Sequence, residues 1–271
     1  MASDFAFIRE QKYRDRLAMN GETIGAIDGI VIKIRAPTKR DLAGKDLSIF
    51  RNRKGCFAVV ATALCDAHGR FRYFDVNNPG SNPDIVCFKQ SMLYQWLQTG
   101  AIPRNYHIVG DEAYSSLATD SVLCPFTRCQ LLKAKETNYE MYLKMRGFNF
   151  MLSSERITVE RAFGMLVAKF AILATPLNYS LQNNIDIVMI CAKLHNVSIS
   201  CYLDAHPEAD FWRLVKEDIE EIPTAEDAAN LRNPQPNIDD AFRAARVDKA
   251  SKKMTIAEHL YANGLRFVDP Q

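Results

Sequence analysis

The sequence predicts an α/β fold, and three observations carry that expectation. A β-branched run spans Ile24–Ile34, two further apolar runs at Cys56–Val76 are joined by a tight turn, and later stretches have buried-helix spacing. The chain has 271 residues, 48% hydrophobic and 24% charged, which suits one sizeable domain with a small appendage.

The elements follow in order. Residues 1–20 read as a short polar helix, and the charged N-terminus has no apolar signal region. IGAIDGIVIKI at Ile24–Ile34 reads as a strand that Asp28 interrupts. Burying an unpaired charge is expensive, so Asp28 either has a task or makes an Asp-Gly bend with Gly29. Pro37–Gly55 is a loop. With Lys33 and Arg35 it holds eight basic residues, as a solvated loop or a phosphate-contacting one would. CFAVVATALC, the turn DAHG and RFRYFDV form a β-hairpin.

NNPGSNPD is turn chemistry, and a helix is expected from about Pro83 to Gln98. Asp84 falls in its first turn, where the positive helix end favours a carboxylate. YHIVG at Tyr106–Gly110 is a short strand with Asp111 at its C-terminal end. Ligands of open α/β sheets gather at that edge, although a loop cap also uses an aspartate. Ser153 and Ser154 read as the start of a helix carrying Val159, Phe163, Leu166 and Phe170 on one stripe. Glu160 lies one turn after Arg156, as an exposed ion pair or as something more. Gln182–Ile199 is an apolar helix whose His195 reads as a hydrogen-bonded core residue.

Seven cysteines, with no CxxC pair, read as reduced core thiols, and five scattered histidines make a zinc site improbable. No uninterrupted run of eighteen apolar residues occurs, so a soluble, intracellular protein without membrane spans is expected. Charge is uneven. Leu203–Asp227 carries nine acids and two bases, net −7, and Ala228–Gln271 is net +2. The total of +2 therefore leaves +7 on the first 202 residues, which allows a polyanionic partner. Composition divides the chain into an N-terminal polar segment at 1–23, a main domain at 24–202, and an acidic then amphipathic tail at 203–271.

Together IDGIVIKIRAP, NRKG, NNPGSNPD, IVGDEAY, FNFMLSSERITVERAFGML and KLHN resemble the DDE endonuclease domain of PIF/Harbinger-type transposases, across about residues 24–200 and in the family's order. The resemblance implies an RNase H-like mixed five-stranded sheet flanked by helices, with a C-terminal helical and acidic appendage. It implies catalytic Asp28, Asp111 and Glu160. These three and Asp84 become the metal-site carboxylates, for Mg²⁺ or Mn²⁺. Hard cations take oxygen ligands, and two-metal phosphodiester cleavage places ions about 3.5–4 Å apart, which needs several carboxylates.

Arg53, Lys54, Arg156 and Lys169 are the implied DNA contacts, Arg156 keeping Glu160 ionised or holding a phosphate. DNA is the implied partner and the nucleus the implied location, with KASKK at Lys249–Lys253 as slight support. Two departures stand out. Ile30 and Val31 replace the family's Thr-His pair, and Val167 stands where the family has lysine, with Lys169 two residues on. Family members also carry an N-terminal helix-turn-helix region. Little precedes the first strand here, so a fragment, a truncated element or a protein relying on a separate DNA-binding partner protein is expected; a homo-oligomer is a further expected partner. A domesticated, non-cutting DNA- or protein-binding module is the alternative to a nuclease.

Overall fold

The computed structural model describes residues 23–100, 106–117 and 121–206, with 253–254, 256–258 and 261 near the C-terminus. The expected N-terminal polar helix and most of the tail lie outside the described residues. A five-stranded sheet runs in the order β3-β2-β1-β4-β5, from β1 (Thr23–Lys33), β2 (Ala58–Cys65), β3 (Phe71–Pro79), β4 (His107–Val109) and β5 (Val122–Leu123). The helices are α1 (Lys39–Leu42), α2 (Asp84–Gln90), α3 (Met92–Gln98), α4 (Arg128–Thr137), α5 (Tyr139–Lys169) and α6 (Leu181–Ala205). This is the mixed α/β class expected. The chain groups into two packing units, Met1–Ala26 with Trp96–Ile157 and Gln235–Gln271, and Ile27–Gln95 with Thr158–Pro234.

In the first unit, β4 runs parallel to β1, with Ala26 opposite Val109, and parallel to β5. Thr23 Oγ1 and His107 Nε2, both buried, lie 2.9 Å apart. Asn138 closes α4 and opens α5, its Oδ1 accepting the Met141 amide at 3.0 Å. The expected start at Ser153 and Ser154 is therefore wrong. Both serines are exposed inside a 31-residue helix, because Tyr142, Met145, Phe148 and Leu152 extend the buried stripe upstream. Those residues form a core with Val109, Leu123, Phe126 and Ala257. Asn149 grips the backbone of Phe126, accepting its N–H at 2.7 Å and donating to its carbonyl at 2.9 Å. Lys253, from the basic run, is buried. It stands over the Phe126 ring and donates to the Pro125 carbonyl.

In the second unit, β2 and β3 form the expected hairpin, and all eight residues of β2 are buried. Asp66 builds its turn by accepting from the His68 and Arg70 amides, and Gly69 takes φ 79°. Register shifts in the hairpin change which residues share a face. Phe71 and Phe74, three apart, thereby meet edge to face at 4.9 Å, and Phe71 stacks on Phe163 of α5 at 5.7 Å. Strand β3 runs through Pro79, further than the turn chemistry of NNPGSNPD suggested.

The helix expected at Pro83–Gln98 is two helices. Ser91, extended at ψ 153°, turns its hydroxyl to the Phe88 carbonyl and accepts the Tyr94 amide. Helix α2 packs on β2, and α6 packs on β3. By length and composition α6 is long enough and apolar enough to cross a membrane, which a search for uninterrupted apolar runs misses. Here one side of it is tied to β3. The expected core role of His195 holds: its Nε2 lies 2.9 Å from the Gly69 carbonyl, and its ring lies 4.8 Å from that of Phe71. Asn196 accepts the Phe71 N–H and donates to its carbonyl, both at 2.7 Å. The KLHN motif is thus a structural clamp.

Candidate metal-binding carboxylate site

Asp28 sits inside β1, which runs unbroken from Thr23 to Lys33, so Asp28-Gly29 is not a bend. It is 8% exposed, and its Oδ1 accepts the Gly29 N–H at 2.9 Å. Successive strand residues point to opposite faces, so the Cβ directions of Asp28 and Gly29 diverge. The space where Gly29 would carry a Cβ holds Asp84. That position lies 3.0 Å from the Asp84 Cγ, nearer still to its Oδ1, and 3.6 Å from the Val60 Cγ1. Gly29 therefore contacts two carboxylates, Asp28 through its amide and Asp84 in the space of its missing Cβ.

Asp84 reaches this place as the first residue of α2. Pro83, at the N-cap, makes no side-chain cap bond, so the acid also suits the positive helix end. Both sequence readings of Asp84 are compatible with its position. Burial, with the charge of Asp84 and then that of Asp75 adding to it, pushes the Cys87 thiol up to about 12. Burial likewise raises the Asp75 carboxyl above its ordinary value, while Tyr73 and Asn77 donate to it. Asp75 is thus a carboxylate in this neighbourhood that sequence reasoning did not single out. Its only signal was an acid four residues before the PGS turn, too common a pattern to stand out.

Glu160 is half-buried in the second-unit part of α5, between buried Val159 and the Phe163 that stacks on Phe71. Asp111 belongs to the first unit. It follows β4 and caps a 3₁₀ turn (Glu112–Ser116), its Oδ1 accepting the Ala113 amide at 2.7 Å. The loop-cap reading of Asp111 is therefore realised, and the cap leaves Oδ2 uncommitted by that bond.

Among the expected DNA contacts, Arg53 and Lys54 are exposed on a turn. Asn52 Oδ1 organises it by accepting the Lys54 and Cys56 amides at 3.0 Å, with Gly55 at φ 77°. Lys169 ends α5 with its ammonium on the Ser198 hydroxyl of α6. Arg156 is half-buried, and its Nε and Nη2 are withdrawn from solvent, a poor disposition for gripping a phosphate. Among the described residues, no group of three or more His, Cys, Asp or Glu is gathered closely enough to hold a metal ion. The donors around Gly29 nevertheless suit a hard divalent cation. Both are carboxylates, and Asp84 has its place there only because residue 29 lacks a Cβ.

Comparison with known proteins identifies a family. Residues 27–196 match the model of the DDE superfamily endonuclease family. The protein named "Putative nuclease HARBI1" from Rattus norvegicus is 28% identical over 184 residues, which cover 67% of this chain and 47% of that protein. Its Homo sapiens counterpart is 27% identical over 187 residues, with the same coverage. The Xenopus laevis one is 23% identical over 199 residues, covering 72% of this chain and 51% of that protein. No solved structure matches the chain. The chain spans about half the length of the curated relatives it matches. With well over half of its residues inside the family match, the chain belongs to the DDE superfamily endonuclease family.

Proposed function

We propose that the chain cuts DNA as a divalent-metal-dependent endonuclease of the transposase type. The observation that carries this reading is that the Asp28 and Asp84 carboxylates both contact Gly29, within the family match. Asp28, Asp84, Asp111 and Glu160 would hold Mg²⁺ or Mn²⁺. These ions would supply activation of water and relief of charge on the leaving 3′ oxygen. Asp28, Asp111 and Glu160 are the catalytic acids of this reading. Asp111 enters this reading through the family resemblance, as the acid that directly follows β4.

Binding of the polyanion is the task of the surface around Arg53 and Lys54. Lys33, Arg35, Lys39, Arg40 and Lys45 are also exposed there. Asp41 braces this loop by capping α1 through Thr38 and accepting the Leu181 amide at 3.2 Å. Lys169, engaged with Ser198, and half-buried Arg156 serve better as supports of α5 than as direct grips. Self-association, a separate DNA-binding partner protein and a nuclear location belong to the same reading.

A non-cutting binding module on this scaffold is the second reading. The lack of a three-ligand cluster among the described residues favours it. Incubation with supercoiled plasmid and Mn²⁺ or Mg²⁺ separates the two. The nuclease reading expects metal-dependent nicking that falls about a thousandfold in Asp111→Ala and in Glu160→Gln, a loss of several kcal/mol of transition-state stabilisation. No nicking, together with no metal-dependent rise in melting temperature, leaves the binding module.

A further inference from the structure

We infer that Gly29 is a positioning residue for this site, acting through Asp84. The inference rests on the proposed metal-binding role of Asp28 and Asp84, and deepens it.

Glycine in a strand interior weakens the strand and often marks a close approach by another group. Residue 29 lies between Asp28 and the buried Ile30, within a strand rich in isoleucine, where a β-branched residue would serve stability better. The described conformation supplies no backbone reason for glycine, because Gly29 is not among the positive-φ residues. The reason is steric. A Cβ at this position would stand 3.0 Å from the Asp84 Cγ and closer to its Oδ1, so the carboxylate occupies the volume of the missing side chain.

The same residue offers its N–H to Asp28 Oδ1 at 2.9 Å. Gly29 thus orients both carboxylates, one through its amide and one through its empty Cβ position. Metal ligands are set by groups behind them, and loss of such a group costs about 10–100-fold in metal affinity. An added methyl would push Asp84 away from β1 while leaving both acids in the chain. A cation that takes Asp84 as a ligand would then be held less tightly.

The test combines a mutant cycle with metal titration of the full chain. Wild type, Gly29→Ala, Asp84→Ala and the Gly29→Ala/Asp84→Ala double variant are melted without metal and then titrated with Mn²⁺. Gly29→Ala is expected to melt lower than wild type, and the double variant to recover most of that loss, because the clash has gone. Gly29→Ala is also expected to bind Mn²⁺ about tenfold or more weakly, approaching Asp84→Ala. Losses that simply add in the double variant would overturn the berth. Full Mn²⁺ affinity in Gly29→Ala would overturn the positioning role. If wild type binds no Mn²⁺, the metal reading fails, and the metal-free cycle still decides whether Gly29 places Asp84. If Gly29→Ala does not fold, recovery in the double variant supports the berth, and its absence counts against it.

Discussion

Gly29 and Gly80 both lie where a Cβ has no room, yet what fills the space differs. At Gly80 a Cβ would stand 2.8 Å from the carbonyl oxygens of Ala58 and Phe50, which are backbone atoms bound into the fold. At Gly29 the obstacle is the end of one aspartate side chain. Gly80 lets the chain turn the corner after β3, in the PGS motif. Gly29 admits a functional group to a strand. Two glycines within family-like motifs thus do unlike work, one architectural and one chemical, and the neighbouring atoms distinguish them.

The largest effect should come from breaking the architectural one. Gly80→Ala is expected to cost about 3 kcal/mol or more, because backbone cannot swing aside, and trimming a neighbouring side chain should not restore it. Thermal melts of Gly80→Ala, alone and with Ala58→Gly, check this. Close behind comes Asn196→Ala, which strips partners from both backbone groups of Phe71 and is expected to cost about 2–4 kcal/mol. Asn149→Ala should cost a similar amount through Phe126. Denaturant unfolding of Asn196→Asp, which keeps the acceptor and loses the donor, should fall between wild type and Asn196→Ala.

Gly29→Ala should be milder than Gly80→Ala, at about 1–2 kcal/mol, because a carboxylate can yield. A Gly29→Ala cost equal to that of Gly80→Ala would erase the distinction.

The smallest effect is pH dependence. Burial lowers the His195 pKa from its usual 6.5, so below that pH the unfolded chain binds more protons than the folded one. Stability is expected to fall as pH drops through about 6.5, by no more than about 1.4 kcal/mol per pH unit, and His195→Gln should flatten that slope. Asp75, raised by burial, contributes with the opposite sign. Its folded form holds the proton longer, so its contribution weakens as pH rises above 3.8.

Much of the scaffold was legible in local pattern. The β-branched run of β1, the hairpin with its Asp66–Gly69 turn and the apolar stripe of α6 each follow from neighbouring residues. Where readings failed, a longer-range contact outweighed a local signal. Ser153 and Ser154 resemble a helix start, but burial on both sides carries α5 straight through them. Ser91 carries little breaking signal, yet its hydroxyl ends one helix and starts the next. Asp28 stood out as a carboxylate inside a β-branched run, whereas Asp84 and Asp111 each have an ordinary local explanation and came forward only through family resemblance. The berth at Gly29 was not legible, because it depends on a residue 55 positions away.

Direct counting of bound Mn²⁺ by electron paramagnetic resonance, in wild type and in Asp28→Asn, tests the proposed centre most directly. The account predicts that wild type takes up Mn²⁺ stoichiometrically. It also predicts that Asp28→Asn, still folded by its melting curve, loses most of that uptake. Equal Mn²⁺ uptake by the two proteins, or none by wild type, would contradict it.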